Sequence, residues 1–195
     1  MTAPEAVRRP PETLEGAGLL LERWRSEDVE ALHAATEASR AHLEVWTPWV
    51  CEGSIDARAA FVERSERHWE SGEAFEYAIR TSTGGDVAGG AVLLARIGPD
   101  ALEIGYWVAS GHTRTGLATT AAALLAEAAF ALEGIVAVQI HHDEANLASA
   151  AIPEKLGFRR IGTFPNPTSA PADTGFDTRW RLDEADFVSP ARLLP

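Results

Sequence analysis

Residues 112–119 combine small, hydroxyl-bearing and basic side chains in a turn that could bind an anion. Gly116 and Ala118 lie beside Arg114 in this turn. Residues 102–108, just before it, alternate between two faces as a strand does, and the apolar residues just after it recur at helical spacing. A turn that opens a helix presents unpaired backbone N–H groups and the positive end of the helix dipole. The spacing therefore predicts a phosphate cradle.

The glycine spacing of this stretch fits neither of two common phosphate-binding loops. Gly105, Gly111 and Gly116 match neither the P-loop pattern nor the Gly-x-Gly-x-x-Gly of a dinucleotide fold. The stretch instead resembles the pyrophosphate loop of the GNAT superfamily of acetyl-CoA-dependent N-acetyltransferases, which reads Gln/Arg-x-x-Gly-x-Gly/Ala. The sequence departs from that pattern at its first position, which is Thr113, and the arginine is displaced by one to Arg114.

Two further motifs strengthen the resemblance. Residues 146–158 are similar to the Asn-x-x-Ser…Lys-Leu-Gly-Phe segment that follows the fifth strand in this superfamily, particularly in the branch that acetylates N-termini of ribosomal proteins. The Gly-Tyr-Trp at residues 105–107 is typical of the same branch. The resemblance extends over residues 18–187 by element order. It implies an α/β GNAT-type fold, with a central mixed, mostly antiparallel sheet splayed between its fourth and fifth strands and flanked by helices.

The resemblance also implies acetyl-CoA as cosubstrate, with no metal, and a set of residues that bind it. About four of the backbone N–H groups of Arg114, Thr115, Gly116, Leu117, Ala118 and Thr119 would meet the pyrophosphate. The backbone of Trp107, Val108 and Ala109 would pair with the pantetheine arm, as an added strand would. Asn146 and Ser149 would contact the arm from the other side.

Acetyl transfer to an amine needs a neutral amine and a proton returned to the leaving thiolate. Some relatives use a tyrosine seven residues after the asparagine as the acid, but Pro153 stands there. The resemblance assigns that role to the hydroxyl of Ser149, and the alternative is a small packing residue. Glu103 resembles the carboxylate that some relatives use, through water, as a base. The alternative for Glu103 is a structural carboxylate.

The acceptor site is predicted beside a tryptophan-rich segment. Trp46 and Trp49 resemble residues that lie beside the acceptor in the ribosomal-protein branch, and they either line a channel or pack in the core. His141 and His142 invite a metal site, but adjacent residues on a strand point to opposite faces and do not easily share one ion. We expect this pair either in a loop near the acceptor, with His142 as the residue that contacts it, or in a solvated turn.

The rest of the chain supplies the elements that position these residues. It predicts a strand that includes residues 19–24, helices at 26–36 and 56–71, and strands at 75–80 and 87–95 joined by a turn at 82–86. A strand at 135–140, strands at 158–164 and 176–182, and a Pro-rich loop at 165–175 complete the sheet. We predict a flexible tail at 1–12, a single domain at 13–187 and a C-terminal tail at 188–195.

Composition limits the class of protein. The chain has 195 residues, and a core of that size needs no disulfide. Its single cysteine, Cys51, suits a reducing compartment. Residues 1–12 have no apolar run, so we expect a cytoplasmic protein without a signal peptide or membrane span. The net charge of -12 argues against general nucleic-acid binding and favours a cationic partner.

The resemblance therefore implies an N-acetyltransferase that works by direct attack in a ternary complex, with the α-amine of a protein or peptide N-terminus as the acceptor. A small amine such as a polyamine, aminoglycoside or amino-acid analogue is the first alternative. A non-catalytic acyl-CoA sensor is the second. The oligomeric state, including a homodimer, is left open.

Overall fold

Eight strands form one sheet in the computed structural model, which describes residues 8–81 and 85–189. The strands are β1 (Thr13–Gly16), β2 (Leu19–Arg23), β3 (Ala74–Thr81), β4 (Val87–Leu94), β5 (Ala101–Val108), β6 (Ala137–Asp143), β7 (Arg159–Pro165) and β8 (Phe176–Asp183). Their order in the sheet is β1-β2-β3-β4-β5-β6-β8-β7. β5 and β6 run parallel, and the other neighbouring pairs run antiparallel. The predicted mixed, mostly antiparallel sheet is confirmed.

Helices flank this sheet and begin where the sequence provides local signals. The α-helices are α1 (Val29–Ala38), α2 (Arg40–Leu43), α3 (Ile55–Ser71), α4 (Leu117–Phe130) and α5 (Leu147–Lys155). Ser54 caps α3, since its hydroxyl accepts a hydrogen bond of 3.1 Å from the N–H of Ala57. Gly116 precedes α4 with a φ of 88°, a left-handed conformation that favours glycine.

The helices cover opposite faces of the sheet. The larger core cluster joins α4 to alternate residues of the strands, such as Ile79, Leu102 and Ile104. The smaller cluster joins α1 and α3 to residues of the other parity, including Ala78, and Trp107 packs against it. Successive residues of a strand point to opposite faces, so β5 turns Ile104 toward α4 and Trp107 toward α1 and α3.

The structure differs from the sequence predictions in three elements. The strand predicted over residues 19–24 is the second arm of a hairpin, because β1 pairs with it across Ala17 and Gly18, which both have positive φ. The strands predicted as fourth and fifth are therefore β5 and β6. Ser26 does not cap an α-helix but begins a single 3₁₀ turn before α1. The strand predicted at residues 135–140 is β6, which begins at Ala137 and continues to Asp143.

The described part of the predicted N-terminal tail contacts the sheet and α3. The side chain of Arg9 donates to the carbonyls of Trp69 and Glu70, and Tyr77 donates to the carbonyl of Pro11. Residues 1–7 and 190–195, and residues 82–84 of the predicted turn, lie outside the described residues. The domain boundaries stay a prediction.

Candidate active site

β5 and β6 separate halfway along their length. Their paired register ends where Ile104 lies opposite Ile140, although β5 continues to Val108 and β6 to Asp143. Glu103 and Ile104 are 4% and 1% exposed, whereas residues 105–108 are only half-buried. Burial therefore decreases at the residue where pairing stops, and a gap opens between two backbones in the middle of the sheet.

One hydrogen bond shows which backbone groups face this gap. The N–H of Ala109 donates to the carbonyl of Ala88 over 2.8 Å, so Ala109 is committed to β4. Backbone groups alternate sides along a strand, and Trp107 therefore also faces β4, while Tyr106 and Val108 face the gap. In agreement, a Cβ on Gly89 of β4 would collide with the carbonyl oxygen of Trp107. Of the three residues predicted to pair with an extended ligand, only Val108 directs its backbone there.

The turn before α4 has the features of an anion cradle. Thr113 and Thr115 stabilise it through hydroxyl bonds of 3.1 and 2.6 Å to the carbonyls of Ser110 and His112. The N–H groups of residues 114–119 donate no hydrogen bond to any residue between 8 and 81 or 85 and 189. Arg114 and Gly116 have φ angles of 61° and 88°. The left-handed backbone at these two residues exposes the donors. The predicted cradle residues are therefore adjacent and open.

Gly116 faces free space at the cradle. A Cβ built on it would meet nothing within 4 Å, so the volume in front of the N–H groups is not filled by protein atoms. Its φ is also unfavourable for any residue with a Cβ. Arg114 is exposed beside it.

Asn146 and Ser149 lie at the start of α5, on the other side of the gap. The side-chain oxygen of Asn146 accepts a hydrogen bond of 3.1 Å from the N–H of Ser149 and caps the helix. That oxygen is thus used within the protein, which leaves the amide NH₂ of Asn146 for a ligand.

Tyr106 contacts Ser149 across the gap, and the sequence analysis did not assign it a role. Its hydroxyl lies 3.1 Å from the Ser149 hydroxyl and 3.3 Å from the Ser149 carbonyl. In a regular helix that carbonyl would accept from the N–H four residues later, but that residue is Pro153, which has none. Burial raises the pKa of Tyr106 to about 12, although the hydrogen bond with Ser149 offsets part of the rise. Tyr106 is therefore a protonated donor.

Glu103 is bound on both carboxylate oxygens. Arg96 donates to them from Nε and Nη2 over 2.9 and 2.5 Å, and Nδ1 of His141 lies 3.3 Å from Oε2. The other ring nitrogen of His141 lies 2.8 Å from the side-chain oxygen of Gln139. Burial lowers the pKa of His141 from its ordinary value, although the Glu103 charge acts in the opposite direction. Burial thus favours the neutral form of the His141 imidazole, and the carboxylate beside it is paired with Arg96.

His142 lies on the opposite face of the sheet from His141. Its Nε2 accepts a hydrogen bond of 2.9 Å from the indole of Trp180, and its Nδ1 lies 2.8 Å from the carbonyl of Asp143. Since an indole N–H only donates, Nδ1 must carry the proton, and both ring nitrogens are used. The loop expected at residues 141–142 is wrong because both belong to β6. His142 is buried in the core, which leaves His141 as the histidine beside Glu103.

Trp46 and Trp49, which were predicted to lie beside the acceptor, differ in their contacts. Trp49 stacks on Phe61 at 5.4 Å between ring centroids and meets Trp107 edge-on at 5.9 Å. The guanidinium of Arg58 lies 5.1 Å from the centroid of Trp49. Trp46 is half-buried and has no ring contact of this kind with another described residue. Trp49 is thus a packed wall, and Trp46 is the freer of the two.

The Pro-rich loop at residues 166–175 lies against this segment. The N–H of Ala172 donates to the carbonyl of Val45 over 3.1 Å. Asp143 holds the other end of the loop, because it accepts from the N–H and hydroxyl of Thr174. Burial would raise the pKa of Asp143, but hydrogen bonds from Ala145 and Thr174 outweigh it and lower the pKa.

A separate pocket lies near the other end of β5. It has a volume of ≈ 580 Å³ and is lined by residues such as Leu102, Ile135 and Arg96, with none of the predicted site residues.

Among the residues that the structure describes, no cluster of three or more His, Cys, Asp or Glu side chains could hold a metal ion. Within the same ranges, no helix is long and apolar enough to cross a membrane.

Comparison with known families and structures gives consistent findings. The family model described as "Acetyltransferase (GNAT) domain" matches residues 18–159. No curated protein sequence matches the chain significantly. The fold is similar to that of RimJ from Mycobacterium smegmatis in complex with CoA-disulfide, with a TM-score of 0.85 and 22% identity over 95% of each chain.

Two further solved structures share this fold. RimL, a ribosomal L7/L12 alpha-N-protein acetyltransferase in complex with coenzyme A, has a TM-score of 0.81 and 21% identity, covering 90% of this chain and 99% of its own. The ribosomal-protein-S5-alanine acetyltransferase from Vibrio fischeri has a TM-score of 0.77 and 14% identity, covering 90% and 98%. At these identities the likeness shows a common fold.

Proposed function

Because the chain belongs to the GNAT acetyltransferases, we propose that it transfers an acetyl group from acetyl-CoA to the α-amine of a protein or peptide N-terminus. One observation carries the proposal: the gap between β5 and β6 has unpaired backbone donors beside it, in the cradle at 114–119 and on β5 at Val108. The ribosomal-protein substrates named for RimL and the S5-alanine acetyltransferase support the choice of acceptor.

The residues present fit acetyl-CoA. The N–H groups of residues 114–119 suit its pyrophosphate, since each charge-assisted hydrogen bond contributes roughly 1.5–3 kcal/mol. Arg114 adds a positive charge to that site. The backbone of Val108 suits the amides of the pantetheine arm, and Trp107 and Ala109 hold it in place through β4. When bound, acetyl-CoA supplies a thioester at the gap.

Ser149 is the residue to which we assign the departing thiolate. Its hydroxyl would donate a hydrogen bond to the sulfur as the carbon–sulfur bond breaks and the amine takes the acetyl group. Tyr106 orients Ser149 through its phenol, and the cap at Asn146 fixes the start of the same helix. Pro153 has no acidic side chain. The hydroxyl groups of Ser149 and Tyr106, which come from different elements, serve in its place.

Because Glu103 is not a free base, the site favours an α-amine as the acceptor. Both oxygens of Glu103 are already bound, so its role is to hold Arg96 and His141 in place while solvent takes the amine proton. An α-amine has a pKa of about 7.8 against about 10.4 for lysine, so its neutral fraction near pH 7 is larger by roughly 400-fold. A site without a free carboxylate base can use the first amine far more easily than the second.

The acceptor would enter between Trp46 and the loop at residues 166–175. We assign Trp46 and Trp49 to its walls, with Trp49 fixed by Phe61 and Trp107. His141 takes the place expected for His142, because it shares the face of Glu103. We also propose a cytoplasmic location, where new protein N-termini are made and where the single Cys51 stays reduced.

The test offers two matched peptides and measures released thiol. One peptide has a free N-terminus and blocked lysines, and the other has a blocked N-terminus and free lysines. We expect kcat/KM to favour the first by at least a hundredfold, given the roughly 400-fold difference in neutral amine. A preference for lysine, or turnover only with polyamines or aminoglycosides, would contradict the acceptor. Acetyl-CoA binding without turnover on any amine would indicate a sensor.

A further inference from the structure

Arg179 on β8 is half-buried and has no polar partner among the residues that the structure describes. Its Nε is buried without a hydrogen bond, and no carboxylate within residues 8–81 or 85–189 forms an ion pair with it. Arg181, two residues later on the same face, pairs with Asp183 over 2.6 Å. Arg64 and Arg114 also lack polar partners among the described residues, but both are exposed to water. Arg179 is thus unusual for an arginine removed from solvent.

A partly buried charge without a partner is costly, since it loses water and gains no counter-ion. The guanidinium is held in position by Phe164, whose ring centroid lies 4.6 Å from the central carbon. Stacking on an aromatic face orients the group and leaves the edges of its plane for hydrogen bonds. The contact therefore presents two terminal nitrogens to a ligand, while Asp177, two residues earlier, forms no ion pair with them.

Arg179 lies on the acceptor side of the sheet. It is directly opposite His141 in the pairing of β6 with β8, so the two side chains share a face. His141 in turn contacts Glu103. The residues of β6 and β8 on this face are polar or charged, among them Gln139, His141 and Arg179, and none of these belongs to the smaller core cluster. A chain that reacts at the gap and extends across the sheet would pass Arg179.

We propose that Arg179 binds a carboxylate of the acceptor, carried by an aspartate or glutamate at its second or third residue. This inference rests on the proposed function and specifies its substrate. From β5 to β8 there are two inter-strand steps, or about 10 Å. An extended peptide advances ~3.4 Å per residue, so a side chain at the second or third residue covers that distance.

The local charge opposes the overall charge. The net charge of -12 predicts a cationic partner by long-range attraction. Next to the gap, however, Glu103 is neutralised by Arg96, and Arg179 has no counter-ion. Specificity depends on the groups that touch the ligand, so the nearby arginine decides which residue follows the reactive amine.

The experiment compares two sets of three peptides, in which either the second or the third residue is aspartate, asparagine or arginine and the rest of the sequence is constant. All have an N-terminal alanine and no lysine, and released thiol is measured with the full chain. We expect kcat/KM to be about tenfold or more higher for aspartate than for asparagine, as one charge-assisted hydrogen bond allows. Arginine should be the poorest.

Variants show whether Arg179 causes the preference. Arg179→Gln should give aspartate and asparagine peptides equal kcat/KM, and Arg179→Glu should favour arginine. Arg181→Gln is the matched control, because this side chain shares the strand and face but is paired, and it should leave the preference intact. Thermal melting checks that each variant folds, and Arg179→Lys preserves the charge if the neutral variant does not.

The outcomes separate this inference from the function on which it rests. Equal turnover of the three peptides in both sets by the wild-type chain, or a preference that survives Arg179→Gln, would overturn the role of Arg179 and leave N-terminal acetylation in place. Failure to acetylate any α-amine, with polyamine turnover instead, would overturn both.

Discussion

The two halves of β5 have the same strand geometry but different surroundings. Residues 101–104 pair with β6, Glu103 and Ile104 also pair with β4, and all four are buried. Residues 105–108 keep β4 but lose β6, and they are half-buried. Pairing satisfies the backbone in the first half, whereas the second half retains free donors and acceptors. The same strand thus stabilises the fold at one end and can bind a ligand at the other.

This difference shows that a binding edge inside a sheet requires no special residues in the strand itself. The two strands diverge after Ile104 and Ile140, and each is then held by its outer neighbour. An unpaired backbone edge is a hazard when it lies at the outside of a sheet. Here it is enclosed by α4 and α5, so it can accept an extended ligand without pairing to another protein.

The largest expected effect contrasts the two halves directly. Ile104→Ala should lower the free energy of unfolding by about 2–5 kcal/mol, because it leaves a cavity in a closed part of the core. Val108→Ala, in the open half, should cost less than half as much because Val108 is already partly exposed. Urea denaturation of both variants provides the measurement. Equal losses would mean that the open half is as well packed as the closed half.

A change at the cradle should affect the ligand more than the fold. Gly116→Val should weaken acetyl-CoA binding about a hundredfold, since it displaces the anion from at least two charge-assisted hydrogen bonds. Gly157→Val is the control, because Gly157 also has positive φ and open space around its Cβ position. Both should lose similar stability, and calorimetry should find weak binding only in the first. Normal affinity in Gly116→Val would remove the cradle from the site.

Removal of the Ser149 hydroxyl should affect the chemical step. Ser149→Ala should lower kcat by about ten- to a hundredfold, the range of an acid–base group, with the affinity for acetyl-CoA little changed. Steady-state kinetics with saturating acceptor and calorimetry measure the two effects separately. A wild-type kcat would return Ser149 to a packing role.

The smallest effect should come from the residue behind Ser149. Tyr106→Phe should reduce kcat about threefold to tenfold, as expected from one neutral hydrogen bond, and leave the KM for acetyl-CoA unchanged. If Tyr106 acts through Ser149, the same substitution in a Ser149→Ala background should have almost no further effect. Additive losses in the double variant would show that Tyr106 contributes independently.

Much of the fold could be predicted because its signals are local. Alternation along residues 102–108, the helical spacing after Gly116 and the asparagine at 146 identified β5, α4 and α5. The β1–β2 hairpin was missed because its turn places Ala17 at a positive φ, and alanine is not a residue that signals such a turn.

The parts of the site that were missed depend on contacts between distant residues. Tyr106 and Ser149 are 43 residues apart, and Arg96 reaches Glu103 from a loop. The choice between His141 and His142 depended on the register of β6 with β8, since one residue of shift exchanges the two faces. Parity along β5 could have shown that Val108 and not Ala109 faces the gap, but only with the Ala88 hydrogen bond as reference.

Pro153 connects the stability of α5 to the chemistry of the site. A proline inside a helix costs about 3 kcal/mol relative to alanine, so this position is an obvious target for engineering a more thermostable protein. Such a substitution would also restore a main-chain donor to the Ser149 carbonyl. The Tyr106 phenol, which has a single proton, would then distribute it differently between the two oxygens of Ser149. A regular helix at this position would change the hydrogen bonds of Ser149, the proposed acid. Replacement of Pro153 should therefore increase thermal stability and decrease activity.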